Sequence, residues 1–131
     1  MPPRVSLSLG PTDFPVTIFA RAHELCADEP LDKGGSDTGP EPLELLLGSL
    51  GACTAITLRM YARRKGWSLD GVHVDAWFDE EQGQSLIRMS VACTGDLSPD
   101  QRARLLQIAN ACPVHKALTR GAMVETSMDG M

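Results

Sequence analysis

The residues best able to do chemistry in this chain are four cysteines, at positions 26, 53, 93 and 112. A thiolate can act as nucleophile, reductant or metal ligand, so the setting of each one matters. The chain holds no CxxC and no HxxxH, which removes a zinc ribbon and a thioredoxin-type dithiol at the motif level. Four cysteines in 131 residues are too few for a disulfide scaffold. Cys26 stands near a strand end, before Asp28-Glu29-Pro30, and reads as a strand-end filler. Cys93 continues the apolar face of Ile87, Met89 and Val91 and reads as a small core residue. Cys53 lies mid-helix among Gly51, Ala52, Thr54 and Ala55. Those small neighbours leave room beside its sulfur, and burial and reactivity fit it equally. Cys112 stands at a break between two helices, with Pro113 at the first position of the second. Free N–H groups and positive partial charge there favour a thiolate, and His115 and Lys116 add positive charge. A capping role without chemistry fits Cys112 as well. From spacing alone, Cys53 with Cys112 is one of several possible pairings.

These cysteines need elements to position them, and the pattern supplies them. Ser98-Pro99-Asp100-Gln101 is a capping box with Pro at N1. Leu105, Ile108, Ala109 and Cys112 then follow at helical spacing, and a short helix restarts at Pro113 and runs to about Leu118. Pro42 to Lys65 is a long helix, with Pro at its first position, Arg63, Arg64 and Lys65 in the last turn, and Gly66 at C′. From Leu43 to Leu58 it is apolar on nearly all sides and must be surrounded by protein, which hints at a partner subunit. Upstream, a short strand covers about Val5 to Leu9. Alternation from Val16 to His23 predicts another strand. Asp28 to Glu41, with Pro30, Gly34, Gly35, Gly39 and Pro40, is a turn-rich loop. Val72 to Asp79 and Ile87 to Cys93 alternate around Glu80-Glu81-Gln82-Gly83-Gln84, a long β-hairpin. Ala122 to Ser127 reads as a last strand. The order is α+β.

The 131 residues make a single domain, 1–131, with 43% hydrophobic and 22% charged residues and a net charge of −5. The acidic balance argues against a nucleic-acid binder or a basic membrane-surface protein. The longest uncharged stretch, Leu45 to Leu58, is shorter than the ~20 residues of a membrane span. The opening Met1-Pro2-Pro3-Arg4 and the polar and apolar mix after it lack the apolar core of a signal peptide. A reducing cytoplasm and free thiols are therefore expected. His23 and His73 read as solvated, Trp67 and Trp77 as packing at a helix end and on a sheet face. Gly34-Gly35 lacks the rest of a phosphate-binding motif.

One ordered set of motifs carries a resemblance across nearly the whole chain. Asp28-Glu29-Pro30, Gly34-Gly35, Gly39-Pro40, the helix opening Pro42-Leu43-Glu44-Leu45-Leu46-Leu47, then Gly51-Ala52-Cys53-Thr54 and Cys112-Pro113-Val114-His115 resemble the OsmC/Ohr family, and its OsmC-like branch rather than Ohr proper. The resemblance implies an intertwined homodimer, with long central helices packed against antiparallel sheets built from both chains. It also implies a thiol-dependent peroxidase that reduces organic hydroperoxides, with Cys53 as the peroxidatic and Cys112 as the resolving cysteine. An external thiol or dithiol would serve as reductant, with no metal and no other cofactor. The family's arginine, which stabilises the thiolate, is replaced by Lys33, and the glutamate that orients it by Leu43, with Glu44 beside it. Lysine lacks the planar fork of arginine. Arg21 is a second candidate cation, on a strand, and His115 a candidate partner for a thiolate. These departures leave two alternatives open: a non-catalytic OsmC-like dimer that binds a small apolar or electrophilic ligand, and a redox sensor.

Overall fold

The computed structural model describes residues 2–128. The chain divides into two compact units, Met1–Gly48 and Ser49–Met131. In the first, β1 (Ser6–Leu9), β2 (Val16–Ala20) and β3 (His23–Ala27) form an antiparallel sheet in the order β1-β2-β3. The single strand expected from Val16 to His23 is instead a hairpin. Its turn falls at Arg21, which adopts φ 54°, and Ala22. No Gly, Pro, Asn or Asp marks this turn, so the alternation runs through it unbroken.

Asp28 organises the loop that follows β3. It is 2% exposed. One carboxylate oxygen accepts from the N–H of Ser36 at 3.2 Å, the N–H of Thr38 at 3.0 Å and the Thr38 hydroxyl at 2.7 Å, and the other from Glu29 N–H at 2.7 Å. The Thr38 amide, with these other donors, holds the Asp28 carboxyl below its usual range. A Cβ at Gly35 would fall 1.9 Å from the Glu29 carbonyl oxygen, so only glycine lets the loop close here. A single 3-10 turn spans Leu31–Lys33.

Helix α1 (Pro42–Lys65) begins in this unit and continues in the second. Its start is held by Glu44 Oε1, which accepts from Glu41 N–H at 2.9 Å. Its end is a Schellman closure: Trp67 N–H donates to Ala62 O at 2.9 Å and Gly66 N–H to Arg63 O at 3.2 Å, with Gly66 at φ 70°.

In the second unit, β4 (Gly71–Glu81) and β5 (Gln84–Thr94) form an antiparallel hairpin. Gln82 and Gly83 both take positive φ, as a two-residue type I′ turn requires. Helix α2 (Pro99–Ala109) carries the Ser98/Gln101 capping box. Helix α3 is Pro113–Arg120. Leu58, Tyr61, Ala62, Leu105 and Ala109 join α1 to α2 in one core, with Val72, Val91 and Cys93 packed against it. Arg104 Nε donates to the Tyr61 hydroxyl at 3.0 Å, and Trp67 meets the Tyr61 ring edge-on at 5.5 Å.

Two further expectations change. α2 ends at Ala109 rather than reaching Cys112, because the residues before Pro113 leave the helix. Ala122 to Ser127 has no regular structure and is exposed; no strand of the described residues pairs with it. The chain alone covers only one stripe of α1 (Leu50, Thr54, Leu58, Tyr61, Ala62), while Ile56 and Met60 are 56% and 65% exposed. By length and composition α1 is apolar enough to cross a membrane, but its buried stripe belongs to the core shared with α2.

Candidate functional site

Proline makes the first part of the site. It disfavours helix in the residue before it, and Cys112 is extended, with φ −73° and ψ 148°. This makes Cys112 the N-cap of α3, and its Sγ accepts from His115 N–H at 3.2 Å. The residue is completely buried. On the α1 side Thr54, also completely buried, donates to Leu50 O at 2.9 Å. Its Oγ1 lies 3.8 Å from Cys112 Sγ and 3.7 Å from Met89 Sδ.

Cys53 is half-buried on the same helix. Its thiol interacts with the Cys112 thiol, the Val114 N–H and the Thr57 hydroxyl. Burial pushes the Cys53 thiol up from its ordinary pKa, and Cys112 adds to this, while the Val114 amide and Thr57 hydroxyl act the other way. Cys53 therefore feels the Cys112 thiol near the start of α3, where the His115 amide donates to the Cys112 sulfur. That arrangement suits successive thiol chemistry: attack by one sulfur, then capture of the product by the other.

His115 is half-buried and meets the pair through its backbone. With Leu50, Met89, Leu106, Asn110 and Leu118 it also lines an apolar cleft of about 340 Å³. Neither Cys53 nor Cys112 lines that cleft, but His115, whose N–H donates to Cys112 Sγ, and Met89, whose Sδ faces Thr54 Oγ1, both do.

The other expected site residues lie in the first unit. Lys33 Nζ pairs with Glu41 Oε2 at 2.9 Å. Their hydrogen bond raises the lysine pKa and lowers that of the glutamate. Glu44 holds the Glu41 amide. Arg21 stands in the β2–β3 turn, not on a strand. Cys26, read as a strand-end filler, is exposed near the end of β3, with its Sγ 3.9 Å from Thr38 Oγ1. Cys93 is half-buried against the core, and burial raises its pKa. Sequence reasoning missed Glu41, Thr54, Thr57 and the Val114 amide. Thr54 stands beside Cys53 in the chain, and Glu41 beside Pro42, but neither type at its position advertises a partner.

A family model described as OsmC-like protein matches residues 34–127. No curated protein matches the chain. Among solved structures, an OsmC-like protein from Mycoplasma pneumoniae is 18% identical, with a TM-score of 0.75, over 91% of this chain and 88% of that one. The organic hydroperoxide resistance protein OhrB of Bacillus subtilis is 21% identical, with a TM-score of 0.61, over 92% of each chain. An organic hydroperoxide resistance protein OsmC from Legionella pneumophila is 17% identical, with a TM-score of 0.65, over 90% and 89%. At these identities the likeness is one of fold. Helices and antiparallel hairpins in this order, matched by the family model over most of the length, place the chain in the OsmC-like protein family.

Proposed function

We propose that this chain is a cytoplasmic, homodimeric peroxidase of the OsmC-like type, a single domain made of its two compact units, which reduces organic hydroperoxides with an external dithiol. The observation that supports the reading is the buried Cys112 thiol at the first turn of α3, near enough to Cys53 to bear on the Cys53 pKa. In this chemistry the Cys53 thiolate attacks the terminal peroxide oxygen. The O–O bond breaks, an alkoxide leaves and takes a proton from water to become the alcohol, and Cys53 becomes a sulfenic acid. Cys112 attacks that sulfur, and the hydroxyl leaves as water with the Cys112 proton. A dithiol then reduces the disulfide by exchange and is itself oxidised. The apolar cleft beside the pair favours organic over hydrogen peroxide. Of the supporting residues expected from the sequence, His115 acts through its backbone. Lys33 already shares its charge with Glu41, so the Val114 amide takes a larger part in holding the Cys53 thiolate. Glu44 acts in the first unit by holding the helix start, and Arg21 stands in the hairpin turn.

Dimerisation is supported by apolar surface that a lone chain leaves in water. Leu7, Leu9 and Leu25 on the first sheet, and Ile56 and Met60 on α1, are all more than half exposed, apolar surface that association would cover.

The test is peroxide consumption with cumene hydroperoxide and dithiothreitol, comparing the wild type with Cys53→Ser. Turnover that disappears in the variant is the expected result, and equal rates overturn the reading. A second reading, a non-catalytic dimer that binds a small apolar or electrophilic ligand, is favoured by the raised Cys53 pKa and the compensated Lys33. A ligand retained in native mass spectrometry without peroxide turnover would select it.

A further inference from the structure

We propose that Thr54 is the positioning residue of the resolving step: its hydroxyl holds the Cys112 thiol in the orientation that attacks Cys53. The assignment rests on the peroxidase reading above. A threonine at zero exposure in the middle of α1 is not what packing or helix propensity selects, since a β-branched polar residue is a weaker helix former than Leu or Ala. Its hydroxyl has one proton, and the Leu50 carbonyl at 2.9 Å takes it; Met89 Sδ at 3.7 Å is the poorer acceptor. The oxygen is left as an acceptor, and Cys112 Sγ at 3.8 Å, within the reach of a sulfur hydrogen bond, is the donor that faces it. On its other side Cys112 Sγ accepts from His115 N–H. The S–H bond and one lone pair of Cys112 are thus each tied down. The second lone pair is the free one, and the Cys53 thiol is close enough for Cys112 to bear on its pKa.

In the resolving step that lone pair forms the S–S bond and the S–O bond of the Cys53 sulfenic acid breaks. The departing hydroxyl takes the Cys112 proton and leaves as water. The peroxide has already supplied the oxidising equivalent. Thr54 forms no bond to the reacting atoms of the peroxide; it acts on where the Cys112 sulfur points.

The experiment compares full-length wild type, Thr54→Val and Thr54→Ser in a single turnover with one equivalent of cumene hydroperoxide and no reductant. Sulfenic acid is trapped with dimedone and disulfide is counted after alkylation at timed intervals. All three proteins should form the sulfenic acid at the same rate. The wild type and Thr54→Ser should close the disulfide together, and Thr54→Val about tenfold more slowly, as for the loss of one hydrogen bond, with dimedone adduct accumulating. A packing role predicts the reverse order, because Val keeps the shape of Thr and Ser does not. Thr54→Val closing at the wild-type rate, Thr54→Ser as slow as Thr54→Val, or equal slowing of both steps overturns the assignment. A wild type that forms no Cys53 sulfenic acid overturns the peroxidase reading with it, and one that forms the acid but no disulfide overturns the assignment alone.

Discussion

Cys112 has a structural role that can be separated from any redox role by two substitutions. As the N-cap of α3 it satisfies the His115 amide, and as a fully buried residue it fills space. Cys112→Ala removes both. Loss of an N-cap acceptor costs about 1 kcal/mol, within a range of roughly 0.5–2. Loss of one buried atom the size of a methylene costs about 0.8 kcal/mol more, before any cavity left behind. The sum is about 2 kcal/mol. For a chain of this size that lowers Tm by roughly 5–10 °C. Cys112→Ser keeps an acceptor, and serine is a preferred N-cap, so its stability should stay within about 1 kcal/mol of the wild type. Both variants remove the thiol that the proposed disulfide requires. The assay is urea and thermal unfolding under reducing conditions, at one fixed protein concentration because association would move the midpoint. Equal stability of the Ala and Ser variants, or an Ala variant as stable as the wild type, would refute the capping argument.

Burial raises the Cys53 pKa, so less thiolate is present at neutral pH than for an ordinary thiol. The rate constant for sulfenic acid formation should keep rising through and beyond pH ~8.5, the usual thiol value; a stopped-flow profile that levels off below pH 7 contradicts this. Asp28 has a lowered pKa. Its carboxylate therefore stabilises the fold above the ordinary value near 3.9 and loses that contribution as pH falls through its lower folded value. Asp28→Asn should lower Tm at pH 7, and the difference from wild type should shrink below pH ~4; a constant difference counts against the carboxylate. Gly95 takes φ 134°, and a Cβ there would sit 2.0 Å from the Ser68 carbonyl oxygen. Gly95→Ala should cost about 3 kcal/mol or more, and a wild-type Tm would show that the loop gives way instead.

What could be read from the sequence was whatever local chemistry decides. Pro42 and Gly66 mark the ends of α1, Gln82-Gly83 supplies the positive φ values of the β4–β5 turn, and Ser98 with Gln101 starts α2. The β2–β3 turn escaped because Arg21 takes a left-handed conformation without a residue type that announces it. Ala122 to Ser127 has the alternation of a strand, but a strand also needs an edge to join, and pattern alone cannot provide one. The pairing of Cys53 with Cys112 came from family resemblance. Whether the two meet depends on how α1 lies beside α3, which no spacing encodes. The Lys33–Glu41 ion pair was invisible for the same reason: a loop closed by Asp28 brings its members together.

The central claim is that peroxide oxidation of Cys53 ends in a bond to Cys112. The direct measurement treats the reduced protein with one equivalent of organic hydroperoxide, blocks the remaining thiols by alkylation, and maps the digested peptides by mass spectrometry. The account predicts a Cys53–Cys112 linked peptide as the main product, with Cys26 and Cys93 alkylated. Cys53 recovered as sulfinic acid beside an alkylated Cys112, or as an unoxidised thiol, would contradict it.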